Sequence, residues 1–461
     1  MKRNTTPHST GQAGRAIGGL HFYTETLDAG RLSPLAFFEA GSDEFSGRRF
    51  YWENRDKTWK MVGIGHAAVL ESEAADGRFA DVRAQWQRLC SVLVKEEGDL
   101  NPVLFGGFSF DPKNRPSSEW SGFSPAFFAV PQFQLIEKNG HTFVSINMIT
   151  EGEAAAADFE RLRSIGESLI HEAQVMERTP AQKPDVSRLE ELAKDDYMDA
   201  VGSVTGKIRA GEAEKVVIAR SVELLFKDPV TPAAVLENLS SEQQESYLFG
   251  LERDGKLFLG ATPERLVDLH DGHARTACVA GSIGRGKSAA EDRRLGEALL
   301  KDAKNRSEHQ YVVSMIGDVF REFCSDVKIP AGPRLLKVRD IQHLFTPVEG
   351  IPDNGKDILD FVEALHPTPA LGGTPREEAL PIIRESECMD RGYYGAPIGW
   401  MDAAGNGEFA VAIRSALLEE QKARLFAGGG IVADSVPEDE YVETWVKLRP
   451  VMRALGGKLH G

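Results

Sequence analysis

The chain has 461 residues, with 54 Lys and Arg against 70 Asp and Glu, a formal charge of −16, and 41% hydrophobic and 27% charged residues. That balance suits a globular protein with a large core, and excludes both wholesale disorder and a small disulfide-stapled scaffold. An acidic chain lacks the extended Lys and Arg surface that holds a phosphate backbone, so nucleic acid is set aside; a small anion would need a local cationic pocket or a metal.

Met1 to Gly19 is polar and without an apolar stretch, which reads as a disordered tail and not a secretory leader. No apolar run is long enough to span a bilayer, so no membrane association is expected. Cys90, Cys278, Cys324 and Cys388 lie far apart with no paired spacing, as in a reduced cytoplasmic protein.

Residues 20–185 alternate short apolar runs with turn residues. Pro102–Phe108 reads as a strand, and Phe133–Ile136 turns through Asn139-Gly140 into Phe143–Ile146. Helical spacing joins Phe79, Val82, Trp86, Leu89 and Leu93, and again Phe159, Leu162, Ile165 and Leu169. Arg178–Asp185 is polar with two prolines and reads as a linker, followed by a helix marked by Tyr197, Val201, Val204 and Ile208.

Residues 186–461 turn to hairpins. Asp254-Gly255 separates Ser246–Leu251 from Lys256–Gly260, and Asp271-Gly272 separates Leu266–Leu269 from Ala274–Ala280. One long helix carries Leu295, Leu299, Val312, Ile316, Val319 and Phe323. A meander of Ala396–Met401, Glu408–Leu418 and Ala423–Phe426 follows, with a turn at Gly405-Asn406-Gly407. Hairpins with grouped helices predict an α+β protein: a large two-layer body of mostly antiparallel sheets with helices packed outside.

Gly281-Ser282-Ile283-Gly284-Arg285-Gly286-Lys287-Ser288 matches a phosphate-binding P-loop at every fixed position. Its strand pairs antiparallel with its predecessor, however, where a P-loop needs a parallel βαβ unit. A glycine-rich strand-to-helix turn is the expectation, and a nucleotide hydrolase the remote alternative. Gly428-Gly429-Gly430 is either a bulge or turn, or a close approach to a ligand. Leu70-Glu71-Ser72 is read as a strand end.

Alternation places Lys215 on the small-residue face of Lys215–Ser221, either as a snorkelling edge residue or as a pocket amine with a lowered pKa. Arg414 follows Ala410 and Ala412 on one face of Glu408–Leu418, which suits either a carboxylate ligand or an internal salt bridge. Glu308 and His309 lie in the long helix, and Glu443 and Lys447 share a helical face. Each carboxylate is either a solvated charge or half of a two-carboxylate Mg²⁺ site.

Taken together, ten segments resemble the chorismate-utilising enzyme family: Glu214–Arg220, Gly260–Leu266, Val279–Ser282, Ser307–His309, Gln342–Pro347, Leu365–Gly373, Tyr394–Trp400, Ala412–Arg414, Leu425–Val432 and Glu443–Leu448. They fall in the family's order across about residues 190–455. The closest likeness is to its isochorismate synthases, and Pro102–Pro112 resembles the menaquinone-pathway branch.

The resemblance implies Mg²⁺-dependent conversion of chorismate to isochorismate. Lys215 would activate water for attack at C2, and Glu264 would protonate the departing C4 hydroxyl. Glu308 and Glu443 would hold Mg²⁺ against the ring carboxylate. Arg414 and Tyr394 would hold the enolpyruvyl carboxylate. Gly281, Ser282, Gly428 and Lys447 would position anionic oxygens, with His343, Ala370 and Leu371 lining the pocket.

Among siblings, aminodeoxychorismate synthases commonly place a lysine where this chain has Ala280, and anthranilate synthases show Pro-x-Gly-Thr at Pro369–Gly372. No glutamine amidotransferase partner is therefore expected. Salicylate synthases tend to carry threonine at Ala370. They and the siderophore-pathway isochorismate synthases are the alternatives kept.

Overall fold

The structure is a computed structural model that describes residues 19–114, 117–152, 156–176, 181–337 and 341–458. The expected tail, apart from Gly19, and Arg178, Thr179 and Pro180 of the expected linker lie outside the described residues.

The described residues form twenty-one strands and ten α-helices, and the strands join into one network. Their one parallel pairing sets Phe22-Tyr23 beside Leu93-Val94. The long strand Ala126–Lys138 is the branch point. One of its edges pairs with Trp59–Ser72, and the other with His141–Glu151 and Val103–Phe108.

From Trp59–Ser72 a first layer runs through Arg49–Glu53, Tyr247–Arg253, Lys256–Thr262, Ser415–Glu419 and Lys422–Ile431 to Lys215–Phe226. From Val103–Phe108 a second layer runs through Pro397–Asp402, Gly407–Val411, Arg265–His270 and His273–Gly284 to Ile341–Pro352. An aromatic core fills the space between them. Trp52, Phe249, Phe258 and Phe426 enter from the first layer, and Phe105, Ile398 and Trp400 from the second. Phe50 and Phe105 stack across the gap at 4.2 Å. Burying each such ring contributes roughly 1.5–3 kcal/mol, so this interface fixes how the layers face each other.

Helices cover the outer faces, as the sequence predicts. Pro34–Ala40, Ala156–Val175 and Pro232–Glu242 close the first layer, and Arg78–Cys90, Ala303–Phe323 and Ile358–Leu365 the second. The three expected hairpin turns form at Asn139-Gly140, Asp254-Gly255 and Asp271-Gly272. Both residues of each have positive φ, the geometry that follows strand twist. Strand Trp59–Ser72 ends at Ser72, as expected.

Four expectations need correction or sharpening. The long helix is two, Ala289–Lys301 and Ala303–Phe323, because Asp302 leaves the helical conformation and accepts the Asn305 N–H at 2.7 Å as an N-cap. Glu408–Leu418 is not one strand. Gly407–Val411 belongs to the second layer and Ser415–Glu419 to the first, so the meander is broken by a crossing between layers. The glycine triplet is neither bulge nor turn; it sits in unbroken register opposite Val217, Ile218 and Ala219. The P-loop look-alike has its N–H groups occupied from its own helix. Asp292 accepts from Gly286 at 3.1 Å and Glu291 from Lys287 at 2.8 Å, which leaves neither for a phosphate.

Candidate active site

The chain crosses between the layers in two neighbouring places, and each crossing carries a charged residue. Residues 263–264 connect Lys256–Thr262 to Arg265–His270, and residues 412–414 connect Gly407–Val411 to Ser415–Glu419. The crossings are stitched together: Ala261 N–H donates to the Arg414 carbonyl at 3.1 Å, and Val411 N–H to the Glu264 carbonyl at 3.0 Å. Arg414 turns the chain with a φ of 52°, a sparsely populated conformation for a side-chain-bearing residue. Glu264 and Arg414 are thus fixed on adjacent bends.

Lys215 starts the last strand of the first layer, next to the glycine triplet. A Cβ at Gly430 would lie 2.6 Å from Lys215 Cε and 3.2 Å from Nζ, so the absence of a side chain there makes room for the amine. The helix Pro437–Ala454 packs over the same strand ends. Its Lys447 Nζ donates to the Gly428 carbonyl at 2.7 Å and pairs with Glu443 at 2.7 Å. Arg414 donates to the Lys447 carbonyl at 3.0 Å, tying helix to crossing.

The second layer supplies the facing wall. Its register slips between Val279 and Ser282, where Gly281 has a φ of 80°, and the slip brings Ser282 opposite His343. Ser282 Oγ and His343 Nδ1 are 2.6 Å apart. Glu308 stands exposed on Ala303–Phe323. The next residue, buried His309, seats that helix through Nε2 on Thr346 Oγ1 at 2.7 Å and Nδ1 on the Ala280 carbonyl at 3.0 Å.

Electrostatics link these residues. Burial lowers the Lys215 pKa; nearby Lys447 pushes the same way, while Glu308, Glu264 and Glu443 oppose it. Burial raises the Glu264 carboxyl to about 7, against the pull of Arg414, Lys215 and Lys447. Burial holds His343 down at about 4, helped by Arg414 and Lys447, so its imidazole is neutral. Tyr394 is raised to about 12 by burial, lies within the field of Arg414 and Glu264, and stacks on Phe426 at 5.4 Å. The site therefore combines a cationic side, an acid that titrates near neutral pH and an amine biased toward its neutral form.

Whether the site suits a divalent cation depends on its donors. Among the described residues no three His, Cys, Asp or Glu side chains cluster as a closed metal cage. Glu308 and Glu443 are hard oxygen donors on separate helices, and both lie within the field of Lys215. Mg²⁺ uses few protein carboxylates and retains waters or substrate oxygens, so this open pair fits it better than a metal that needs a full protein shell.

Residues 15–456 match the chorismate binding enzyme family. The chain belongs to this family.

Among its relatives, the isochorismate synthase MenF of Bacillus subtilis is 44% identical, covering 93% of this chain and 92% of that protein. The salicylate biosynthesis isochorismate synthase of Pseudomonas aeruginosa is 36% identical, over 99% and 95% of the two chains. In structure, the menaquinone-specific isochorismate synthase MenF of Escherichia coli superposes with a TM-score of 0.79 at 24% identity, covering 95% of both chains. Anthranilate synthase component I of Streptococcus pneumoniae gives 0.68 at 21%, covering 86% of this chain and 92% of that one. At those identities the two superpositions establish the chorismate-binding fold.

Of the residues singled out in this chorismate-binding chain, Lys215, Glu264, Ser282, Glu308, His343, Tyr394, Arg414, Gly428, Glu443 and Lys447 join one network of bonds and fields. Gly281 borders it, facing Asn305. Ala370 and Leu371 approach from the side, where Gly372 accepts the Val217 N–H at 3.0 Å and Leu371 reaches the Gly395 turn. The buried pair Glu387–Arg391 behind this wall was not among the residues legible as functional from sequence. Its i,i+4 spacing was the available signal, yet the two residues lie in a loop and not on a helix.

Proposed function

We propose that the protein is an isochorismate synthase that converts chorismate to isochorismate with Mg²⁺, in the cytoplasm, for menaquinone synthesis. Family membership and 44% identity across almost the whole of a MenF isochorismate synthase support the reaction. The same MenF designation in the menaquinone-specific structural neighbour supports the pathway. The four free thiols suit a reducing compartment.

The observation that carries the mechanism is the pairing of Lys215 and Glu264 in one pocket with inverted protonation tendencies. Moving a hydroxyl from C4 to C2 adds water at one carbon and expels hydroxide from the other, with the ring double bond shifting between. The incoming water must lose a proton, and the outgoing hydroxide must gain one. Lys215, biased toward the neutral amine, takes the first proton. Glu264, an acid near neutral pH, gives the second, so water enters, water leaves and the atoms balance.

Chorismate carries two carboxylates, and the protein's remaining cations orient them. Arg414 and Tyr394 bind the enolpyruvyl carboxylate, while Ser282, the Gly281 backbone and Lys447 meet the ring side. His343 is neutral and adds shape and a hydrogen bond without charge. When bound by Glu308 and Glu443, Mg²⁺ supplies the positive charge that anchors the ring carboxylate. Ala370 and Leu371 close the wall beside the enolpyruvyl group.

The test is incubation of purified protein with chorismate and Mg²⁺, without ammonia, followed by chromatography. Isochorismate as sole product is expected. Salicylate with equimolar pyruvate would instead identify a salicylate synthase, and unchanged chorismate would refute both readings.

A further inference from the structure

The strand that carries Lys215 has a gap along one edge. Thr374 and Gly373 pair with Lys215 and Val216, and Val186–Glu191 pairs only from Val222 onward. Between these, two side chains stand where a neighbouring strand would. Glu387 accepts the Ala219 N–H at 2.7 Å, and Arg391 donates to the Val217 carbonyl at 2.8 Å. Their side chains are each 3% exposed. Arg391 Nε also meets Glu387 Oε2 at 2.9 Å, so the acid neutralises the guanidinium where water is excluded.

Arg391 reaches further than this strand. Its remaining terminal nitrogen donates to the Leu371 carbonyl at 2.9 Å, in the segment that also carries Ala370. Its own carbonyl accepts the Tyr394 N–H at 2.8 Å. The guanidinium lies 4.1 Å from the centre of the Phe110 ring, which fixes the plane of the fork. One planar group thus joins the Lys215 strand to the Leu371 segment, and the backbone of the same residue holds the turn that presents Tyr394.

We propose that Arg391, held by Glu387, is a positioning residue that sets the distance between the base-bearing strand and the segments that line the enolpyruvyl side of the pocket. Arg391 does not line the reacting centre; it acts through Val217, Leu371 and Tyr394. Two carbonyls and a carboxylate arranged around one plane match a guanidinium fork. A lysine ammonium is a single point with tetrahedral donors and cannot span all three. A shift of about 1 Å between a catalytic group and its substrate costs on the order of 100-fold in rate, so a modest relaxation of this clamp reads out in turnover.

The inference rests on the assignment of Lys215 as base, and the experiment separates the two. Arg391→Lys keeps a cation beside Glu387 but loses the fork. The folded variant, checked by circular dichroism, is expected to bind chorismate within about threefold of the wild type while kcat falls about 10- to 100-fold. Glu387→Gln, which keeps an acceptor for Ala219 but loosens Arg391, gives the same split with a smaller fall if Arg391→Lys does not fold. Millimolar guanidinium added to folded Arg391→Gly is expected to restore part of kcat while KM stays within about threefold, and a rescue seen in KM alone overturns the positioning role. Wild-type kcat in folded Arg391→Lys or Glu387→Gln, or loss of affinity in step with kcat, overturns the positioning role. If Lys215→Ala is active, the assignment beneath it fails instead; if Lys215→Ala is inactive and Arg391→Lys is fully active, only the positioning inference fails.

Discussion

Gly430 and Lys215 share one space: a methyl group on the glycine would fall 2.6 Å from Lys215 Cε, inside van der Waals contact. The lysine chain runs across that glycine to reach the pocket. The glycine's value lies in the missing side chain and not in an unusual backbone, since the strand is regular there.

Gly430→Ala is therefore expected to displace the Lys215 amine and lower kcat by about tenfold or more while the sheet stays intact. Gly202→Ala is the control. That glycine sits in Lys194–Arg209 with nothing within 4 Å of its would-be Cβ. It should leave turnover unchanged and add up to about 1 kcal/mol of stability through helix propensity. Steady-state kinetics and thermal unfolding of both variants check this, and full activity in Gly430→Ala contradicts it.

The pH dependence follows from Glu264. Its carboxyl is held at about 7, mainly by burial, and its protonated form is the one the proposed mechanism uses. That form is present below about 7 and lost as pH rises through it. In the free enzyme kcat/KM should fall on the alkaline side with a single-proton limb. Glu264→Gln should be inactive at every pH. A profile that stays level through the alkaline range would contradict the assignment.

Glu308→Gln and Glu443→Gln each remove one negative oxygen from the proposed two-carboxylate site. The Mg²⁺ concentration for half-maximal rate should rise about tenfold or more in either variant, and chelation should silence the wild type reversibly. Calorimetric titration of Mg²⁺ onto each protein gives a readout independent of turnover. Unaltered Mg²⁺ affinity in both variants would remove these residues from the site.

Glu408 offers a stability test away from the pocket. It is 6% exposed, close to Arg265 and Tyr247, and burial raises its carboxyl to about 7. A carboxyl whose folded pKa lies above its unfolded value contributes stability at low pH that is lost as pH rises through the folded value. Arg265 retains Asp268 at 3.1 Å, so Glu408→Gln does not strand the arginine. From about pH 5 to 8 the variant should gain about 2–3 kcal/mol relative to the wild type. Denaturant melts at both pH values check it, and a difference independent of pH contradicts it.

Much of the site was legible because its residues sit in short, locally determined segments. Lys215 opens an apolar strand with small neighbours, Glu443 and Lys447 share a helical face, and the Asp-Gly and Asn-Gly turns announced their hairpins. The misreadings occurred where distant contacts overrule local pattern. Alternation ran unbroken through Glu408–Leu418, yet Ile413 N–H bonds back to the Val411 carbonyl at 2.8 Å and Arg414 takes a positive φ. No periodicity marks a strand that changes sheets, because both halves remain buried on the same schedule. Asp302 was likewise passed over, since the apolar spacing continues on either side of it.

By itself the sequence determined the element types, the antiparallel hairpins, the acidic exterior and, through ordered motifs, the family and the candidates for its chemistry. Those depend on neighbours a few positions apart. Only the tertiary structure decided that Glu264 and Arg414 ride on two stitched crossings, that Gly430 clears a path for Lys215, and that Glu387 and Arg391 complete an open strand edge. Burial between the layers then biases Glu264 and Lys215 toward neutrality, against the pull of most of the charges that surround them. A net charge of −16 describes the whole molecule; Arg414 and Lys447 oppose it locally because the fold joins two cations that lie 33 residues apart in sequence (414 to 447).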